Sequence, residues 1–177
     1  MKPLRLAVAA LALLAGCNSS EPTGVVNLSG DLAFAYTGAL SGSFSASGQM
    51  PQTTTEQRTM DWAAGERDDP DIFVDAAVPR SATTYDVVFL SVGSTTVGSS
   101  DIAFDADVTI LLGAQVSGTG QPLQVCFLNA GTVAITEITA TRVKGTFSGT
   151  GSCVDPTPTT TSFTVANGTF DVPLVAP

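Results

Sequence analysis

The chain has 177 residues, with 7 Lys and Arg against 16 Asp and Glu, no His, and a net charge of −9. That balance leaves no basic footprint for nucleic acid, no imidazole to activate a serine or cysteine nucleophile, and a donor set unsuited to zinc. Gly, Ser, Thr, Val and Ala dominate while Lys and Glu are scarce, a strand-forming composition in a chain long enough to bury one core.

In chain order, Lys2 and Arg5 flank the start of an unbroken apolar run from Leu6 to Leu14. A membrane-spanning helix needs about 20 apolar residues, so this run fits the apolar region of a secretory signal instead. It ends in Leu14-Ala15-Gly16-Cys17, which resembles the lipobox of bacterial lipoprotein precursors. The resemblance implies cleavage before Cys17, a diacylglycerol on its sulfur and acylation of the new N-terminus. Each buried methylene contributes about 0.8 kcal/mol, and two or more chains make an effectively permanent anchor. Asn18 stands where members retained at the inner membrane tend to carry Asp, so the resemblance implies the outer membrane if the envelope is Gram-negative. An ordinary signal peptide with an incidental Cys17 is the alternative. The expected organisation is a signal peptide at 1–16, the acylated Cys17 and a flexible tether at 17–24, and a single domain at 25–177. Losing Lys2 and Arg5 leaves five basic against sixteen acidic residues, net −11. Membrane contact is therefore expected through lipid, not through attraction to anionic headgroups.

From Val26 to Phe44 the apolar residues fall on even numbers, which predicts strands with one buried face. A three-residue turn at Thr37-Gly38-Ala39 preserves that parity and would set Tyr36 opposite Leu40 and Leu32 opposite Phe44. Trp62 and Ile72-Phe73-Val74 are expected on two strands joined through Arg67-Asp68-Asp69-Pro70, with a helical turn around Glu56 to Ala64 as the alternative. Tyr85 to Val92 is apolar on both parities and predicts a strand covered on both faces. Ile102, Phe104, Ala106, Val108, Ile110 and Leu112 alternate inward, and the pattern is expected to continue through Leu123, Val125, Phe127, Val133, Ile135, Val143 and Phe147.

Near the end, Phe163 and Val165 are odd while Phe170, Val172 and Leu174 are even. A hairpin at Asn167-Gly168 produces that switch, and so does a glycine bulge in one continuous strand; the hairpin is slightly preferred. Gly42 to Gly48 echoes Gly145 to Gly151, with a phenylalanine third in each. Gly145-Thr146-Phe147 and the run Asn167 to Pro173 are also similar to the C-terminal halves of uncharacterised bacterial lipoproteins, a resemblance that implies no particular activity. The whole predicts an all-β chain: a single antiparallel β-sandwich or barrel of about nine to ten strands with little helix.

With Cys17 assigned to lipid, Cys126 and Cys153 remain, and an exported compartment favours a disulfide between them over two separate buried thiols. The acidic stretch holding Glu66, Asp68, Asp69 and Asp71 is a candidate calcium site, since calcium takes six to eight oxygens. It lacks the spaced Asp-x-Asp-x-Asp-Gly order of a dedicated loop, and a solvated turn is the alternative. No other cofactor and no catalytic residue is expected. Tyr36, Trp62 and Tyr85 suit either an aromatic platform or core packing. The expected function is a non-enzymatic binding or structural module, lipid-anchored on the cell envelope. A lipocalin-like carrier of a small apolar ligand is the alternative, and a carboxylate-based hydrolase is more remote. No nucleic-acid partner is expected; a protein, glycan or small ligand stays open.

Overall fold

The computed structural model describes residues 29–175 apart from 39, 103, 118, 119 and 158. Cys17, the signal segment, Val26 and Leu28 lie outside the described residues. Among those described, the alternating segments become ten strands of one sheet: β1 (Gly30–Gly38), β2 (Gly42–Gly48), β3 (Trp62–Asp68), β4 (Asp71–Pro79), β5 (Thr84–Val92), β6 (Gly98–Asp101), β7 (Ala106–Gln115), β8 (Gln124–Ile138), β9 (Arg142–Val154) and β10 (Thr160–Val175). One short helix, α1 (Thr54–Thr59), precedes β3. The chain is therefore all-β, as composition and periodicity predict.

Closure turns this sheet into a barrel. Strands β3, β4, β5, β7, β8, β9 and β10 follow one another around it, and β10 returns to β3. The returning contact is parallel and short, with Leu174 beside Gly65 and Val175 beside Glu66. Along the rest of that edge β10 is paired with β1, which carries β2 outward. Likewise β8 pairs with β7 at its start and with β6 further on. Closing most of the sheet satisfies strand edges that would otherwise be open to pairing with another chain.

Side chains fill the barrel. Ile72, Val74, Val88, Leu90, Ile110, Val133, Val143, Phe163 and Val172 are all buried and form one cluster with Leu32, Phe34 and Phe44. Tyr85 to Val92 is covered on both faces, as its double parity predicts: Val88, Leu90 and Val92 face the interior, while Val87 is buried with Trp62, Ala64 and Ala77 on the outer wall. Helix α1 packs over that outer wall. Thr53 caps it by accepting from the Glu56 amide, and the Trp62 indole donates to the Gln57 carbonyl at 2.7 Å. Both readings of this region hold in part, because the helix ends at Thr59 and Trp62 begins a strand.

The two echoing segments meet in space. Phe44 stacks on Phe34 with centroids 5.2 Å apart, and Phe147 meets the same ring edge-on at 5.6 Å. Two Gly-Thr-Phe triplets also pair antiparallel: Gly145 opposite Phe170, Thr146 opposite Thr169, Phe147 opposite Gly168. Each phenylalanine ring lies over the other triplet's glycine, so a Cβ on Gly145 would sit 2.2 Å from Phe170 Cζ. Gly145→Ala must displace that ring from a packed core, which costs about 1–3 kcal/mol. Thermal unfolding of the variant is expected to show the loss as a Tm lower by several degrees.

Four local expectations are corrected. The β1–β2 turn comes later than predicted: Phe34 faces Phe44, Leu32 faces Ala46 and Tyr36 faces Gly42. The reason is that β10 holds β1 through Gly38, which pairs with Phe163. At Asn167-Gly168 there is a bulge and not a hairpin, because β10 is clamped between β1 and β9 and has no room to reverse. Asn167 takes the left-handed conformation (φ 53°) that absorbs the extra residue. Phe104 is 82% exposed, since the chain turns there, with the Phe104 and Asp105 amides both donating to the Asp101 carbonyl. Finally, Leu123, Val125 and Phe127 point outward while Cys126 and Leu128 point in. A register shift between Leu128 and Ala130 restores odd parity before Val133.

Candidate functional site

Antiparallel connectivity gathers alternate loops at one end of the barrel. The β1–β2, β4–β5, β7–β8 and β9–β10 connections meet around an open-sided cavity of about 510 Å³. Its walls are mixed: Tyr36, Leu40, Leu112, Leu123 and Pro156 supply apolar surface, and Ser41, Arg80, Gln124, Asp155 and Thr157 supply polar groups. A cavity of this size suits a small ligand, with few polar groups setting orientation.

Each wall residue has a local reason for its place. Tyr36 ends the inward row of β1, its ring 5.5 Å from that of Phe163. Gly42 opposite leaves room for the phenol, because a Cβ there would be 2.7 Å from the hydroxyl oxygen. Leu123 folds over Gly113, which has φ 66° and on which a Cβ would come within 2.6 Å of the leucine. The Gly113 amide donates to Asp86 Oδ1 at 2.7 Å, and Asp86 Oδ2 holds the Arg80 Nε at 3.2 Å. One carboxylate thus sets both the β7 bulge and the direction of the arginine.

Gln124 and Asp155 stand two residues outside the disulfide that links Cys126 and Cys153. These cysteines are directly opposite on β8 and β9, so the bridge fixes the spacing of the strand ends that carry both polar groups. Asp155 Oδ1 accepts from the Thr157 hydroxyl at 2.8 Å. Among the described residues the Gln124 Oε1 is shut off from solvent without a hydrogen-bond partner, a state that costs about 1–3 kcal/mol until a donor is supplied.

Of the candidate calcium residues, Glu66 and Asp68 lie on β3, Asp69 in the β3–β4 turn and Asp71 at the start of β4. Asp68 faces Asp71 across the strand pair, and Asp69 is paired with Arg67 at 2.8 Å. Among the described residues no three acidic, Cys or His side chains stand close enough together to hold a metal ion. The aromatic residues do not share a platform: Tyr36 is at the barrel mouth, whereas Trp62 and Tyr85 belong to the outer cluster beneath α1.

One carboxylate on the outer wall is strongly perturbed. Asp75 on β4 lies between Ala64 and Phe89 of the neighbouring strands. Burial, reinforced by the charge of Glu66, pushes its pKa from the usual 3.8 up to about 7. The folded state therefore holds a proton that the unfolded chain releases above pH 4. That contribution to stability is full below pH 4 and is lost as pH rises through 7. Asp75→Asn is expected to match the native protein in Tm at pH 4 and to exceed it increasingly towards pH 8. Neither Asp75 nor Glu66 lines the cavity at the mouth. Both project from adjacent strands of one wall, whereas glycosidase carboxylates face each other across the scissile bond.

Sequence reasoning singled out none of Arg80, Gln124 or Asp155. No motif marks them, because they come from three separate places in the chain: the β4–β5 loop, the start of β8 and the β9–β10 loop. Only the strand order puts those places at one end. No family model matches the chain, and no match was found among curated proteins or solved structures.

Proposed function

We propose that the protein is a lipid-anchored, non-enzymatic binding module of the bacterial cell envelope, held by acylated Cys17 and taking its ligand at the barrel mouth. The observation that carries this reading is an open cavity at one end of an otherwise packed barrel, remote from where the tether joins. The Ser29 carbonyl accepts from Arg142 at 3.3 Å, at the start of β9, while Asp155 follows its end. At about 3.3 Å per residue, the thirteen residues of β9 separate the two by roughly 40 Å along the strand. The described chain therefore begins at the end of the barrel opposite the mouth.

A lipocalin-like carrier would hold its ligand at the centre of the barrel. Here that space is occupied by the buried residues of β4, β5, β7, β9 and β10, which favours the mouth. Two measurements test the proposal. Mass spectrometry of the mature N-terminus should find acyl chains on Cys17, and an unmodified Cys17 would remove the anchor. An NMR-detected screen of small apolar fragments should shift resonances of the four mouth loops. Fragments that bind elsewhere, or nowhere, would remove the site.

A further inference from the structure

Resting on that reading, we infer that the mouth takes a zwitterion with an apolar body, an apolar amino acid or a peptide of two or three residues. Arg80 and Asp155 line one cavity but come from different loops, and each is steadied on its own side, Arg80 by Asp86 and Asp155 by Thr157. Opposite charges that line one cavity without forming an ion pair with each other can be joined by a molecule that carries both. Asp86 approaches Arg80 at its Nε, and the arginine side chain is 46% exposed. Its terminal N–H groups remain for a carboxylate, the geometry that guanidinium groups bind best. Asp155, as an acceptor, suits the ammonium end.

Gln124 sits beside them with an amide oxygen that lacks a donor. A rotation of that amide lets it accept the N–H of a peptide bond or ammonium. Leu40, Leu112 and Leu123 supply the apolar wall for the side chains. The remaining nearby cation, Arg58 on α1, is outside the cavity wall and donates to the Val116 carbonyl at 3.1 Å. Net charge points the same way. A simple anion would approach a mature protein carrying −11, and a simple cation would leave the Arg80 guanidinium facing it. A zwitterion brings no net charge and pairs with both groups.

The test uses the mature chain in lipid nanodiscs, with empty nanodiscs as the partition control. Binding of dileucine is compared by calorimetry and NMR with its N-acetyl and C-terminal amide forms. Blocking either end is expected to weaken binding at least 10-fold, the effect of losing one charge-assisted hydrogen-bond pair. In Asp155→Asn the N-acetyl penalty should vanish, and in Arg80→Gln the amide penalty should vanish. Blocked forms that bind the mouth as tightly as dileucine would overturn the zwitterion. So would fragments that fill the mouth while dileucine does not, an outcome that leaves the binding-module reading standing. Absence of any mouth binding, by fragments or peptide, overturns both. The comparison of blocked and free peptides is made on the native chain, so it decides the question even if a variant misfolds.

Discussion

Removing the Cys126–Cys153 bridge, by reduction or by the double variant Cys126→Ala, Cys153→Ala, is expected to lower the unfolding free energy by about 3–4 kcal/mol. The two cysteines are 27 residues apart in sequence, and closing a loop of that length restricts the unfolded chain by about this amount. In the folded barrel the bridge spans residues already opposite each other on hydrogen-bonded strands, so its main effect falls on the unfolded state. Urea titration of the oxidised and reduced forms gives the measurement. With an m-value of about 2 kcal/mol/M, the midpoint should fall by roughly 1.5–2 M. An unchanged midpoint would mean that the β8–β9 hairpin persists in the unfolded chain. The mouth should loosen as well, since Gln124 and Asp155 lie just beyond the bridge. Ligand affinity is therefore expected to fall in the reduced protein even under conditions where it stays folded.

Phe34→Ala is expected to cost about 3–5 kcal/mol, a large share of the roughly 5–15 kcal/mol that holds a domain of this kind together. Phe34 is 4% exposed and stands where the two echoing segments converge, touching the rings of Phe44, Phe147 and Tyr36. Truncation empties a space that three strands line, and none of them can close it without breaking register. Phe34→Leu keeps most of the volume and should cost much less. A double-mutant cycle between Phe34→Leu and Phe147→Leu isolates the ring–ring contribution, expected at about 0.5–1.5 kcal/mol. A coupling near zero would mean that volume alone matters at this position.

Much of the barrel is legible in the chain because a strand has period two and one buried face. Val108, Ile110 and Leu112 are recognisable as interior from neighbours two residues away. The reading fails where that period breaks. Phe127 shares its parity with Leu123, Val125 and Val133 and reads as interior with them, but a register shift between Leu128 and Ala130, with no local signature beyond Gly131, separates it from Val133. Asn167-Gly168 reads slightly more readily as a turn than as a bulge, but the same left-handed preference serves both. The choice was made by β1 and β9, which clamp β10 on either side.

The candidate site divides along the same line. Cysteine count singles out Cys126 and Cys153 as a pair once Cys17 is set aside by its resemblance to a lipobox, and the structure joins those two. Arg80, Gln124 and Asp155 carry no such mark. They become a site only when β7 pairs with β5 and β8, and β9 with β10, which brings three distant parts of the chain to one rim. Local pattern and composition suffice for the strand class, the scarcity of helix, the inward residues of the regular segments and the disulfide. Sandwich or barrel, the packed interior and the mouth were decided by tertiary structure, because each depends on which strands meet, and that long-range pairing has no short-range code.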